Sequence, residues 1–215
     1  MAVIKTDGGQ IGWRFGLRWV LLTIAGWAIG FPLGFILGEL ALDNAEIEIC
    51  VGAIVGFMQW FALRRVVNKR AGFWVLAGIT GFIVSSGIHA AACYFWKIPD
   101  DLGHLPGVLA WTLAFILGGT LTGLLQQRIL RHQVRRSGWW VPASAAGWGL
   151  GVIGLAIIYF VLPAMEKGPA PFVLLLIRNL ILPTVLGAGL LGIVTGVTLI
   201  WLLRQPKQQM PDTAN

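Results

Sequence analysis

Six groups of side chains have types that could do chemistry, and all lie within or beside long apolar runs: Gln59, Gln126, His89, Cys50, Cys93 and the acidic group Glu39, Asp43, Glu46 and Glu48. His89 sits inside such a run, where an ionisable group is costly unless it serves a function or finds a partner. An imidazole at that position can act as an axial ligand to haem or chlorophyll, but no second run carries a His at matching depth for a bis-His haem. A neutral His hydrogen-bonded in a packed helix interface is the simpler role; His104 and His132 fall in loops and receive none. The two cysteines have neither C-x-x-C nor Cys/His metal spacing, so no zinc or iron–sulfur site is expected. Both are placed near the outer end of their runs at one membrane level, in a redox setting that permits a disulfide. The acidic group lacks the Asp-x-Asp-x-Asp-Gly core of a calcium loop and reads as a solvated loop. There is no H-E-x-x-H, G-x-S-x-G, P-loop or Rossmann fingerprint and no nucleophile–base pair, so no catalytic residue and no metal are assigned.

The elements that position these groups follow from composition. Of 215 residues, 57% are apolar and 12% charged, and the mean hydropathy of +0.78 excludes a soluble single domain. A hydrocarbon core of ~30 Å needs about 20 apolar residues as helix. The chain supplies six such runs, at 19–38, 47–63, 73–95, 106–127, 140–162 and 183–203. The first continues past signal-peptide length without an A-x-A cleavage pattern, so it is read as a retained span. Residues 172–203 would make a helix of about 48 Å, too long for one tilted crossing. A break near Pro183 is expected, with an outer interfacial segment near 165–182; one long kinked helix is the alternative.

The loops alternate in charge. Lys5, Arg14, Arg18, Arg64, Arg65, Lys69, Arg70, Arg128, Arg131, Arg135, Arg136, Arg204 and Lys207 fall on one side, and these are thirteen of the sixteen basic residues. Seven acidic residues fall on the other, with only Lys97, Lys167 and Arg178. The positive-inside rule makes the basic side, and both termini, cytoplasmic. It also accounts for the net charge of +7 without a nucleic-acid partner. Trp13, Trp19, Trp60, Trp74, Trp139, Trp140 and Trp201 lie near this boundary and are expected to form an interfacial aromatic belt.

The runs repeat. Trp19-Val20, Trp74-Val75 and Trp140-Val141 are each followed seven residues later by Gly26, Gly81 or Gly147, then by Trp27, Phe82 or Trp148. The even runs carry G-x-x-x-G-x-x-Q-x-x-x-L-R: Gly52, Gly56, Gln59, Leu63, Arg64 in one and Gly119, Gly123, Gln126, Leu130, Arg131 in the next. The sixth keeps Gly192, Gly196, Leu203 and Arg204 but has Leu199 in place of Gln. The small residues and Gln share one helical face. Gly52, Gly56, Gln59, Gly119, Gly123, Gln126, Gly192 and Gly196 are therefore assigned to a helix-packing seam with amide cross-links, the alternative being the polar lining of a pore. His89 continues the ridge of Gly81 and Ser85 and should face other helices.

The segments Gly52-Ala-Ile-Val-Gly-Phe-Met-Gln-Trp-Phe-Ala-Leu-Arg-Arg65 and Ala71-Gly-Phe-Trp-Val75, echoed by Gly138-Trp-Trp-Val141, resemble uncharacterised multi-pass membrane proteins of cyanobacteria and green non-sulfur bacteria. The resemblance covers the repeated parts, about two-thirds of the chain. It implies six-span hairpin repeats in a bacterial membrane and carries no activity or ligand.

The expected architecture is all-α: six transmembrane helices as three repeated hairpins, with N and C termini inside. Its segments are 1–18 (cytoplasmic), 19–72, 73–138 and 139–204 (the hairpins) and 205–215 (cytoplasmic tail). The expected localisation is a bacterial inner or thylakoid-like membrane. Without catalytic chemistry, the expected role is an accessory or scaffold protein that packs in the bilayer as a homo-oligomer or as a subunit of a larger complex, photosynthetic or respiratory. A small channel or transporter is the alternative, and a haem- or chlorophyll-associated subunit using His89 a third.

Overall fold

The computed structural model describes residues 12–41, 45–64, 66–67, 72–98, 104–161 and 181–205, with backbone only for 39–41, 45–48, 159–161 and 183. The described residues form six α-helices: α1 (Trp13–Ala41), α2 (Ala45–Leu63), α3 (Phe73–Trp96), α4 (Leu105–Leu130), α5 (Trp140–Val161) and α6 (Leu182–Leu203). A 3-10 turn, Ser137–Trp139, leads into α5. Five of the helices are long and apolar enough to cross a membrane, and the chain is a multi-pass membrane protein. With no water in hydrocarbon to take up N–H and C=O groups, the apolar runs close their hydrogen bonds internally as helix.

The helix ends follow local chemistry. Pro106 stands in the first turn of α4 and Pro183 in that of α6, where the missing N–H would have no partner anyway. Pro32 lies inside α1, which is one assigned helix from Trp13 to Ala41. The expected interfacial segment near 165–182 lies almost wholly outside the described residues. So do the acidic positions Asp43, Asp100, Asp101 and Glu166, and the side chains of Glu39, Glu46 and Glu48 are not described.

Each helix packs chiefly on its two neighbours in the chain, and α6 returns to α1, so the six close a ring. Glycines line its joints. A Cβ built on Gly26 or Gly30 of α1 would lie 2.8 or 2.9 Å from Cα of Val55 or Val51 on α2. A Cβ on Gly52 or Gly56 of α2 would lie 2.7 or 2.8 Å from Cα of Ile79 or Val75 on α3. Gly119 and Gly123 of α4 meet α5 in the same way, at 2.7 Å from Trp148 Cγ and 2.9 Å from Ser144 Cβ. Gly192 and Gly196 of α6 meet α1, at 3.1 Å from Val20 Cα and 3.0 Å from Trp19 Cδ1. The other joints are lined in the same way, since Gly81 of α3 meets Gly118 and Thr122 of α4, and Gly147 and Gly151 of α5 meet Leu191 and Gly187 of α6. Small residues let backbones approach where lipid supplies no hydrophobic drive for helix association.

Candidate functional site

The three tryptophans that open the repeats meet on the ring axis. Trp19, Trp74 and Trp140 are 0%, 0% and 1% exposed. Their ring centroids are 6.1, 6.1 and 5.4 Å apart, two pairs edge-to-face and one tilted. These are favourable aromatic geometries. They correct the aromatic belt expected for these residues: Trp13, Trp139 and Trp201 are exposed and Trp60 half-buried, but the repeat tryptophans point inward. The helix face decides this, since Trp19 packs against Gly196 of α6, and an apolar ring with one N–H is buried when a partner for that N–H is at hand.

The partners come from the even helices. Trp74 Nε1 donates to Gln59 Oε1 at 3.0 Å, and Trp140 Nε1 to Gln126 Oε1 at 2.8 Å. In the third copy, Trp19 Nε1 donates to Thr195 Oγ1 at 3.0 Å. Each bond crosses between a helix and the one that follows it around the ring: α2 to α3, α4 to α5, and α6 back to α1. Leu199, in the Gln register, is fully buried in the apolar cluster with Leu63 and Leu130, and Thr195 one turn earlier does the accepting. Thr195 escaped the sequence reading. The signal for it was Trp19 itself, whose N–H needs an acceptor from α6 within a turn of Leu199.

Further hydroxyls complete the layer. Gln59 Nε2 donates to Thr23 Oγ1 at 3.4 Å, and Thr23 donates to the Trp19 carbonyl at 2.9 Å. Thr122 donates to the Ala77 carbonyl at 3.3 Å, and Thr195 to the Leu191 carbonyl at 2.6 Å. A cavity of about 20 Å³ remains on the axis, lined among others by Gln59, Thr122, Gln126, Ser144 and Thr195. That is room for about one water.

Trp140, on one side of the cavity, belongs to the tryptophan layer; Phe82 and Trp148, on the other, belong to a second aromatic layer. In it Trp27 lies 5.5 Å from Phe82, and Phe82 4.7 Å from Trp148. Phe115 extends this layer to Trp111, and Trp111 stacks on His89 at 3.9 Å and 22°. His89 is 3% exposed, and its Nε2 lies 3.4 Å from Cys93 Sγ. His89 is thus packed against an indole of α4 on its ring face and the Cys93 thiol at its edge. Among the described residues, no three His, Cys, Asp or Glu side chains gather as a metal site.

Cys50 and Cys93 form no disulfide and do not share a level. Gly52 faces Ile79 and Gly56 faces Val75, so Cys50 stands opposite about residue 81. Cys93 lies twelve residues further along α3, about 18 Å at the helical rise. The expectation failed because α3 runs on well past the start of α2.

The arrangement of these described residues binds helices to one another. Comparison with known protein families, with curated proteins and with solved structures finds no match to this chain.

Proposed function

We propose that the chain is a non-enzymatic accessory or scaffold protein of a bacterial inner or thylakoid-like membrane. It packs laterally as a homo-oligomer or as a subunit of a larger photosynthetic or respiratory complex. In this reading it crosses the bilayer six times as three copies of one hairpin, with both termini and the arginine-rich end cytoplasmic. The observation that carries the reading is the filled axis: both repeat glutamines spend their carbonyls on indole N–H groups, and two aromatic layers occupy the place of a pore. Polar side chains used as glue between helices are the economical role of such amides in a bilayer. The outward face supports lateral packing. On α3, Gly87, Ala90 and Ala91 are exposed, and a Cβ on Gly87 would meet nothing within 4 Å, leaving a shallow groove for a neighbouring helix.

A small channel or transporter is the second reading, favoured by the polar lining of the central cavity. Against it, the cavity holds about one water and lies between the aromatic layers. The scaffold reading is tested by cross-linking in native membranes, followed by native electrophoresis in mild detergent. It predicts assemblies well above the 23.3 kDa chain that shrink for Gly87→Leu. A chain that stays monomeric in both settings contradicts it.

A further inference from the structure

The rim of the bundle that bears the arginines carries a second pattern. The residues just before the repeat tryptophans are Arg18, Phe73 and Trp139, and those two past the Gln register are Phe61, Arg128 and Trp201. The first two hairpins therefore each set one cation and one aromatic at these positions, and Arg18 Cζ lies 5.3 Å over the Phe61 ring. The third hairpin departs: both positions are tryptophan, in edge-to-face contact at 6.4 Å. The cation comes instead from the α4–α5 connection, with Arg136 Cζ 5.9 Å over the Trp201 ring. That connection is held in place, since Arg135 N donates to the Gln205 carbonyl at 3.2 Å beyond the end of α6.

Trp139 is 61% and Trp201 36% exposed, so neither ring belongs to the core. Exposed indoles at the end of apolar spans sit at headgroup depth, which fixes the level of this corner in the bilayer. Arg135 and Arg136 are both exposed there. The acidic residues on this side in the sequence are Asp7 and Asp212 alone, and both lie outside the described residues. A guanidinium matches a phosphate diester with paired N–H donors, and the indoles beside it cover the glycerol and upper acyl region.

We propose that Arg135, Arg136, Trp139 and Trp201 form a binding site for the phosphate headgroup of an anionic membrane phospholipid at the α5/α6 rim. The source is a lipid and not free phosphate, because the two indoles place the cations at the membrane surface. The proposal rests on the membrane-embedded fold and does not depend on the scaffold reading or on which side the rim faces.

The test uses the purified full chain in detergent, titrated with dioleoylphosphatidylglycerol or dioleoylphosphatidylcholine and read by native mass spectrometry. Phosphatidylglycerol should bind more tightly than phosphatidylcholine. Each guanidinium near an anionic surface contributes about a fivefold factor, so Arg135→Gln/Arg136→Gln should weaken phosphatidylglycerol binding by about 25-fold. Arg64→Gln, just past the end of α2 across the ring, should leave it within about twofold. An unchanged melting temperature of the double variant shows that the fold survives, and Trp139→Phe/Trp201→Phe, which keeps the charge, should weaken binding by a smaller factor. Equal lipid affinity for wild type and the double arginine variant overturns the proposal. An equal loss from Arg64→Gln does so too, since it shows diffuse charge attraction. Displacement of the lipid by ~10 mM inorganic phosphate rejects the lipid as the occupant.

Discussion

The two aromatic layers on the axis come from matched sequence positions, one about two turns beyond the other, yet they hold the bundle differently. In the first, every indole N–H is spent on a neighbouring even helix, so the layer specifies which helix meets which. In the second, Phe82 stands where positions 27 and 148 carry Trp27 and Trp148, and Trp27 Nε1 is buried without a hydrogen-bond partner among the described residues. That layer fills space by ring contact. The difference teaches that the polar positions, more than the aromatic ones, carry the order of the ring: a ring can be replaced by another ring, but a donor needs its acceptor.

The largest expected effect comes from forcing open the joints that let the first layer form. Gly56→Leu or Gly123→Leu would drive a side chain into the facing backbone, where a Cβ alone already comes within 2.8 Å of Val75 Cα or 3.0 Å of Val141 Cα. Overpacking of this kind costs about 1–3 kcal/mol, and more where backbone is the obstacle. Both variants should show a large drop in melting temperature in detergent. Wild-type melting in either would remove the seam from the account.

A matched pair of substitutions sharpens the contrast between layers. Trp74→Phe and Trp27→Phe both shrink a buried ring and leave a void. Only the first orphans an acceptor, Gln59 Oε1, so it should cost about 1–3 kcal/mol more in thermal or denaturant unfolding. Equal losses from the two would mean that the indole hydrogen bonds contribute nothing beyond volume.

The smallest effect belongs to the third copy. Thr195→Val opens no large void but removes the acceptor for Trp19, a loss of about 1–3 kcal/mol without the cavity cost of the tryptophan variants. Adding Leu199→Gln restores an amide in the register of Gln59 and Gln126 and should recover most of that loss. No recovery would show that the sixth helix does not present residue 199 toward Trp19 as the other two present their glutamines.

Much of the helical layout was legible in the sequence because the bilayer constrains it: apolar runs of about 20 residues bounded by charge give helices whose ends fall within a few residues of those expected. Trp13–Ala41 is the exception, since Trp13 to Arg18 extend the helix into residues whose charge had marked them as flank. The glycines and glutamines that recur at matching spacings in the sequence lie where helices touch. The direction of the tryptophans was not legible. A Trp near a boundary serves equally as interfacial anchor or interior plug, and only the position of Trp19, Trp74 and Trp140 on the glycine-bearing face separates them from Trp13 and Trp139. Thr195 was hidden for a related reason: the pattern sought a glutamine, while the chemistry needed only an oxygen within reach. The Cys50–Cys93 level failed because distance from a helix end is a poor ruler when neighbouring helices start at different depths.

The central claim is that the axis is closed by side chains bonded to one another, and passage through it is the direct test. Proteoliposomes bearing the wild type or Gln59→Leu/Gln126→Leu would be compared with empty liposomes for water, glycerol and small-ion flux. The account predicts that wild type and the double variant match empty liposomes, with the variant differing only in stability. Wild-type flux well above the empty control that changes in the double variant would contradict the closed axis and favour the channel.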